Sequence, residues 1–227
     1  MMSTHLALPR IGHLDHMYHV FGFLKGNPKL NLAFDSAHPQ ISENMFQKHD
    51  CQDFYRNKKE AIPDNMLEAR GNGISTHCFV DADLEGNTVT RRSQTGILIF
   101  CNRAPIMWHS KRKNTVKTSS FGSEFTAMNN AVELTEGLQY KLCMFGVPLE
   151  GPTNIFCDNE AVYKNSSILE SVLLKKHHSI SYQRYRKAVA AGTVRISKEG
   201  TRTNLSDLFT KILYIVRGED FLEKFKY

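Results

Sequence analysis

Hydrophobic positions recur along this chain with a changing period, and the changes mark out the elements. Leu14, Met17, Phe21 and Leu24 return at three- and four-residue spacing, which predicts a helix. Gly26-Asn27-Pro28 stops it, and Leu30, Leu32 and Phe34 then alternate as in a half-buried strand. Residues 36–75 are polar, contain Pro39 and Pro63 and show no clear period, so a long connection with at most one short helix is expected there. Beyond them the pattern becomes regular. Cys78-Phe79-Val80, Gly96-Ile97-Leu98-Ile99-Phe100 and Ile106-Met107-Trp108 are short apolar runs, the last two separated by Asn102, Arg103 and Pro105. They predict three antiparallel strands in a meander, with Trp108 packed in the core. A long helix follows, with Phe121, Phe125, Met128, Ala131, Leu134, Leu138, Leu142 and Phe145 on one face and Gly146 and Pro148 at its end. Next come a strand at Ile155-Phe156-Cys157, a short helix, a basic helix over about 176–191, a strand over 193–196 and a last helix opened by Thr203. The order β-β-β-α-β-α-α-β-α predicts an α/β sheet with helices packed on its faces.

Length and composition change this picture little. A chain of 227 residues has room for one sizeable domain and a smaller piece, and 41% apolar with 23% charged residues is ordinary for a packed protein. Charge adds more. The net charge is +6, and residues 103–117 hold Arg103, Lys111, Arg112, Lys113 and Lys117 without an acid. Residues 175–202 hold eight basic residues, among them Lys176, Arg184, Arg186 and Arg195, against Glu199 alone. Such runs attract a polyanion through counterion release, so nucleic acid is the leading partner class, with a solvated basic face as the competing reading. Cys51, Cys78, Cys101, Cys143 and Cys157 are scattered and form no CxxC pair, which suggests neither a disulfide framework nor a zinc site. No run approaches the ~18 apolar residues of a membrane span. The expectation is a soluble, cytoplasmic protein in a reducing compartment, with no membrane partner.

Certain acids fall where the pattern expects apolar residues. Asp81 and Asp158 each close an apolar strand, where open α/β sheets place their ligand crevices. Glu124 precedes Met128 by four residues and so lies on the apolar stripe of the long helix. Asp207 flanks the stripe Leu205, Leu208, Phe209 and Ile212 of the last helix. Ionised carboxylates that leave water need compensation, and several can share divalent cations. Oxygen ligands without His or Cys indicate magnesium or manganese over zinc. Each acid also has a plain structural reading: Asp158 as a helix cap, Asp207 as a surface acid.

Eight segments carry a resemblance. Phe79-Val80-Asp81-Ala82-Asp83, Arg91-Arg92-Ser93-Gln94-Thr95-Gly96, Ala104-Pro105-Ile106-Met107-Trp108-His109-Ser110-Lys111 and Thr118-Ser119-Ser120 are the first four. Glu124-Phe125-Thr126-Ala127, Ile155-Phe156-Cys157-Asp158-Asn159, Lys176-His177-His178-Ser179-Ile180 and Leu205-Ser206-Asp207-Leu208-Phe209-Thr210-Lys211 follow in the same order. Together they resemble the ribonuclease H region of copia-type retrotransposon Pol polyproteins. Phe23-Leu24-Lys25-Gly26-Asn27-Pro28 through Phe34 resembles the end of the preceding reverse transcriptase.

The resemblance implies a ribonuclease H-like fold, an α/β architecture whose five-stranded mixed sheet has three antiparallel strands followed by parallel ones. It divides the chain into a reverse transcriptase remnant at 1–35, a linker at 36–75, the ribonuclease H-like domain at 76–213 and a helical tail at 214–227. It implies an endoribonuclease that cuts the RNA strand of RNA–DNA hybrids during reverse transcription, with two Mg²⁺ ions, or Mn²⁺, as cofactor. Asp81, Glu124, Asp158 and Asp207 take the metal-binding and catalytic positions: Asp81 bridges both ions, Asp207 helps to hold one, Glu124 and Asp158 hold the other. Nucleic-acid contacts fall to Ser93, Ser120, Asn159, Lys111, Lys176, His177 and Arg184. The partners are the hybrid and the reverse transcriptase portion of the same polyprotein, in a virus-like particle where the element is intact.

The chain departs from the family pattern at Gly122, Leu84, Ser179 and Ile212, and residues 198–204 lack the family's mobile His. A catalytically dead nucleic-acid-binding remnant therefore stays open beside the enzyme. An integrase-like strand-transfer enzyme is disfavoured by Glu124 on the long helix. His13, His16 and His19 carry no metal reading, because His13 and His19 point about 120° apart on a helix.

Overall fold

The computed structural model describes residues 10–46, 66–84, 92–114, 119–167, 179–211 and 220–221. Its sheet has five strands: β1 (Thr76–Asp83), β2 (Gln94–Cys101), β3 (Ala104–Arg112), β4 (Thr153–Cys157) and β5 (Val194–Lys198). They lie in the order β3-β2-β1-β4-β5, antiparallel across β1–β2–β3 and parallel across β1–β4–β5. Four α-helices are described: α1 (Ile11–Gly26), α2 (Ser120–Met144), α3 (Glu160–Ser167) and α4 (Ser179–Ala190). The α/β architecture and the meander read from the sequence are both present.

One face of the sheet carries the larger core. Cys78 and Val80 of β1, Ile97 and Ile99 of β2 and Ile155 of β4 pack there against Phe125, Met128 and Val132 of α2 and Tyr185 of α4. The alternating residues Leu98 and Phe100 turn to the opposite face, where they meet Leu205, Phe209 and Phe221. Side chains of period two thus feed a core on each face of the sheet, which is why Ile97–Phe100 of β2 is an unbroken apolar run.

α2 begins where Ser119 accepts a hydrogen bond from Gly122 N at 3.2 Å, an N-cap that offsets the low helix propensity of Gly122. The expected stripe holds at Phe125, Met128 and Ala131, with Phe121, Leu134 and Leu138 packed beside the core, but not at its C-terminal end. Phe125, Met128, Ala131, Val132, Thr135 and Gln139 face inward, whereas Phe145 is 77% exposed. The stripe carries polar residues because Gln139 spans two elements, donating to Thr153 Oγ1 at 2.7 Å and to the Thr193 carbonyl at 2.9 Å.

Other expectations need correction. Leu30, Leu32 and Phe34 form no strand; among the described residues no strand pairs with them, and Phe34 is 67% exposed. α1 forms as predicted but buries none of its residues, its three histidines included. Trp108 pairs with Leu98 on the smaller-core face of the edge strand β3, but it is 56% exposed and not in the core. The element holding Asp207 is a 3₁₀ turn, Leu205–Phe209, and the rest of the predicted last helix and the 214–227 tail fall largely outside the described residues. The described parts of 36–75 are not a free linker. Phe46 lies 5.8 Å from the Phe156 ring, Glu43 pairs with Arg195 of β5, and the Ser36 carbonyl accepts from Asn102.

Candidate metal centre

Three elements deliver carboxylates to the end of the inner strands. Asp81 is the sixth residue of β1, opposite Gly96 of β2, so it lies within the strand and does not close it. Asp158 follows β4 directly, and Glu124 comes from the second turn of α2. One carboxylate oxygen from each of Asp81, Glu124 and Asp158 lies within 4.8 Å of the other two.

Burial sets the electrostatics. Asp81 is 1% exposed, and loss of water pushes its carboxyl up to about 6. Hydrogen bonding from Thr210 and the positive charge of Lys211 oppose that rise, while Asp207 and Asp158 add to it. Glu124 is pushed up to about 9, first by burial and then by the neighbouring Asp81 and Asp158. Asp158 is raised as well, chiefly by burial, against the pull of Lys211. Like charges brought together out of water disfavour ionisation, and a hard divalent cation is the partner that reverses this cost. The oxygen-only donor set fits magnesium or manganese.

The fourth acid is placed beside this group. Asp207 is fully buried, and its Oδ1 accepts from Lys211 Nζ at 2.6 Å. The turn that carries it is pinned to β1 twice. Asn204 donates to the Val80 carbonyl at 3.0 Å while its Oδ1 caps Ser206 N, and the Thr210 hydroxyl bonds to the Asp81 carboxylate. Gly96 makes room for the turn on the face of β2. Sequence reasoning singled out none of Gly96, Asn204, Thr210 and Lys211 as functional. The available signal was spacing: Thr210 and Lys211 sit three and four residues beyond Asp207, one turn away on any helical segment.

The residues expected at the nucleic-acid interface are scattered. Lys111 lies at the rim of a cavity of about 230 Å³ between β3 and α2, with Arg112, Lys113, Asn114 and Asn130. Ser120 is exposed at the start of α2. Ser93 is fully buried and offers no surface, so its expected contact is not supported. Asn159 caps α3, its Oδ1 accepting from Ala161 N and Val162 N at 3.0 and 3.1 Å. Arg184 is held by Glu133 and Glu136 of α2, both at 3.2 Å. Lys176 and His177 lie outside the described residues. Much of the second basic stretch is spent internally: Arg186 is buried against Tyr182, Arg195 pairs with Glu43 and Lys198 with Glu160. Among the described residues no helix is long and apolar enough to cross a membrane.

A five-stranded sheet in this order and direction, with acids gathered where β1, β4 and the first long helix meet, defines a ribonuclease H-like α/β domain. No protein-family model matches the chain. Curated relatives do. The chain is 31% identical over 157 residues to the retrovirus-related Pol polyprotein from transposon RE2 of Arabidopsis thaliana, and 30% identical over the same length to that from transposon RE1. In each case 68% of this chain aligns with 11% of the relative. The polyprotein from transposon TNT 1-94 of Nicotiana tabacum is 25% identical over 135 residues, 60% of this chain and 10% of that one. The chain is a homologue of the retrovirus-related Pol polyproteins of copia-type transposons, and it spans about a tenth of their length.

Solved structures overlay more loosely. LC11-RNase H1 in complex with an RNA/DNA hybrid is 13% identical, with 60% of this chain and 94% of that one covered and a TM-score of 0.48. The N-terminal ribonuclease H domain of rv2228c from Mycobacterium tuberculosis is 10% identical, with 66% and 95% covered and a TM-score of 0.47.

Proposed function

We propose that this chain is a divalent-metal-dependent ribonuclease H that hydrolyses the RNA strand of RNA–DNA hybrids during reverse transcription of a retrotransposon. The observation that carries the reading is the convergence, within 4.8 Å, of Asp81, Glu124 and Asp158 from three separate elements. One buried and two partly buried carboxylates gathered at a sheet end are costly to ionise together unless a cation joins them.

In this reading Asp81, Glu124 and Asp158 would hold a divalent ion, and Asp207 would help to hold a second. Bound magnesium supplies an activated water and neutralises charge at the scissile phosphate. The chain's own contribution is orientation: Thr210 fixes the Asp81 carboxylate, and Asn204 fixes the turn that presents Asp207. Lys111 and Arg112 at the β3 edge would meet backbone phosphates, contacts that position a strand without reading its sequence.

Asp158→Asn tests the site. Its side chain is 11% exposed and keeps the same shape, so the variant should fold and lose cleavage of a labelled hybrid in Mg²⁺ by at least about a hundredfold. A folded variant that cleaves like the parent removes Asp158 from the chemistry. A parent chain that binds hybrid but never cuts it identifies a non-catalytic remnant instead.

A further inference from the structure

Helices cover one face of the sheet only. Among the described residues α2, α3 and α4 all pack on the face that carries Val80, Ile97 and Ile155. On the other face, over β4 and β5, lies a stretch with no strand and a single 3₁₀ turn, Glu43–Met45. Its contacts there are specific. Glu43 grips the Arg195 guanidinium with both carboxylate oxygens, at 2.5 and 2.7 Å, and Arg195 in turn lies 4.1 Å over the Phe46 ring. The Met45 carbonyl accepts from Ser197 Oγ at 2.8 Å, and Phe46 is buried against Phe156.

The segment 36–75 also leaves and returns at one residue. Asn102, in the turn between β2 and β3, donates from Nδ2 to the Ser36 carbonyl and accepts at Oδ1 from Ser75 N, both at 2.9 Å. Asn102 is buried with φ at 52°, a left-handed conformation that asparagine tolerates better than most side chains. Beside it Arg103 pairs with Asp35 at 2.9 Å. A tether between two folded parts needs no such fixings, because its backbone is satisfied by water.

From Phe46 a row of rings leads toward the acids. Phe46 and Phe156 are 5.8 Å apart and Phe156 and Phe79 5.1 Å apart. Phe79 packs on the cluster that includes Leu205, the first residue of the turn that holds Asp207. We propose that residues 35–46 are the outer layer of the sheet domain, docked in cis on β4 and β5, and that through Phe46 they hold the Asp207 turn from behind. The folding unit then begins at Asp35 and not at Thr76, and Phe46 is a positioning residue for Asp207. The docking stands apart from the metal-site reading; only the use made of a firm Asp207 turn rests on it.

A protease recognition sequence inserted after Asp50 of the full chain allows the covalent link to be cut beyond the docked stretch. The two pieces should still elute together on gel filtration after cutting. Phe46→Ala should weaken their association at least roughly tenfold, since it removes a buried ring from the contact. In the uncut chain the same variant should speed hydrogen exchange at the bonded amides of Ser206, Asp207 and Thr210 at least roughly tenfold, with the amides of α2 and α4 at the parental rate. A uniform loss of stability would not give that contrast. Pieces that separate on cutting, or that hold together equally tightly with Phe46→Ala, overturn the docking, and parental exchange at the turn overturns the support of Asp207. If Phe46→Ala does not fold, Phe46→Leu, which keeps an apolar contact and loses the ring under Arg195, is read in the same way. Neither measurement involves metal or hybrid, so a chain without ribonuclease activity leaves the docking standing, and separated pieces leave the metal site standing.

Discussion

Gly96 and Ser206 approach too closely for any side chain to stand between them: a Cβ built on Gly96 would lie 2.7 Å from the Ser206 carbonyl oxygen and 2.7 Å from Thr210 Cγ2. Gly96 is paired with Asp81 across β1 and β2, so the glycine that admits the Asp207 turn also sits directly opposite the central acid. Neither Ser206 nor Thr210 has a flexible end to move aside, since one presents backbone and the other is fully buried.

Gly96→Ala should therefore lift the turn away from the sheet. The expected destabilisation is about 1–3 kcal/mol, the range for overpacking a tight core, which is roughly 2–12 °C in Tm for a domain of this size. Cleavage should fall further than stability does, because Asp207 and the Thr210 hydroxyl would leave their places at Asp81. Thermal melting paired with hybrid cleavage well below the melting point reads both. An alanine variant with parental Tm and parental activity would mean that the turn has slack that its packing does not suggest.

The close approach of Gly96 also shows how far the sequence could be read. The order of elements along the chain, the meander and the two acids at β1 and β4 follow from local periods, and Glu124 from a charge on a helical stripe. Those are properties of one segment at a time. The Asp207 turn is a property of three: Asn204 bonded to the Val80 carbonyl, Gly96 vacating space, and Lys211 balancing charge. Its 3₁₀ geometry is set by those anchors and not by the period of Leu205, Leu208 and Phe209, so the expected helix was the natural misreading. Trp108 was misplaced for a similar reason. An edge strand has one neighbour only, and alternation alone does not say which face of β3 is covered.

Stability without metal should fall as pH rises. Glu124 has an ordinary value of 4.5 and is pushed up to about 9 in the fold; Asp81 goes from 3.8 to about 6. Below their ordinary values these groups are protonated in both the folded and the unfolded chain, and nothing is lost. Above those values the unfolded chain releases its protons while the folded chain retains them, so the folded state loses ground up to about pH 6 for Asp81 and about pH 9 for Glu124. Melting in chelator should show Tm decreasing between about pH 5 and pH 9. Added Mg²⁺ should restore stability most strongly at the alkaline end and release protons on binding, which calorimetry in buffers of different ionisation enthalpy measures. A chelated Tm that climbs over this range would show that Glu124 is not held protonated.

Charge runs in the sequence do not say which cations are free to meet a polyanion, and pairing within the fold sorts them. Arg184 belongs to the longer run, yet it bridges Glu133 and Glu136 of α2, so a phosphate would have to compete with two carboxylates already in place. Lys111 belongs to the shorter run, on the edge strand β3 beside a cavity whose lining includes Arg112 and Lys113 and no acid. A cation that contributes to hybrid binding releases about one counterion when it does so, and its removal should lower the slope of log K against log salt by about one. Lys111→Ala is expected to weaken binding of a hybrid roughly three- to tenfold at low salt with that change in slope. Arg184→Ala should leave both affinity and slope within about twofold of the parent, because its guanidinium is already paired with Glu133 and Glu136. Fluorescence anisotropy with a labelled hybrid in Ca²⁺, over a salt series, compares the two directly. The reverse ranking would place the strand across α2 and α4 and away from the β3 edge.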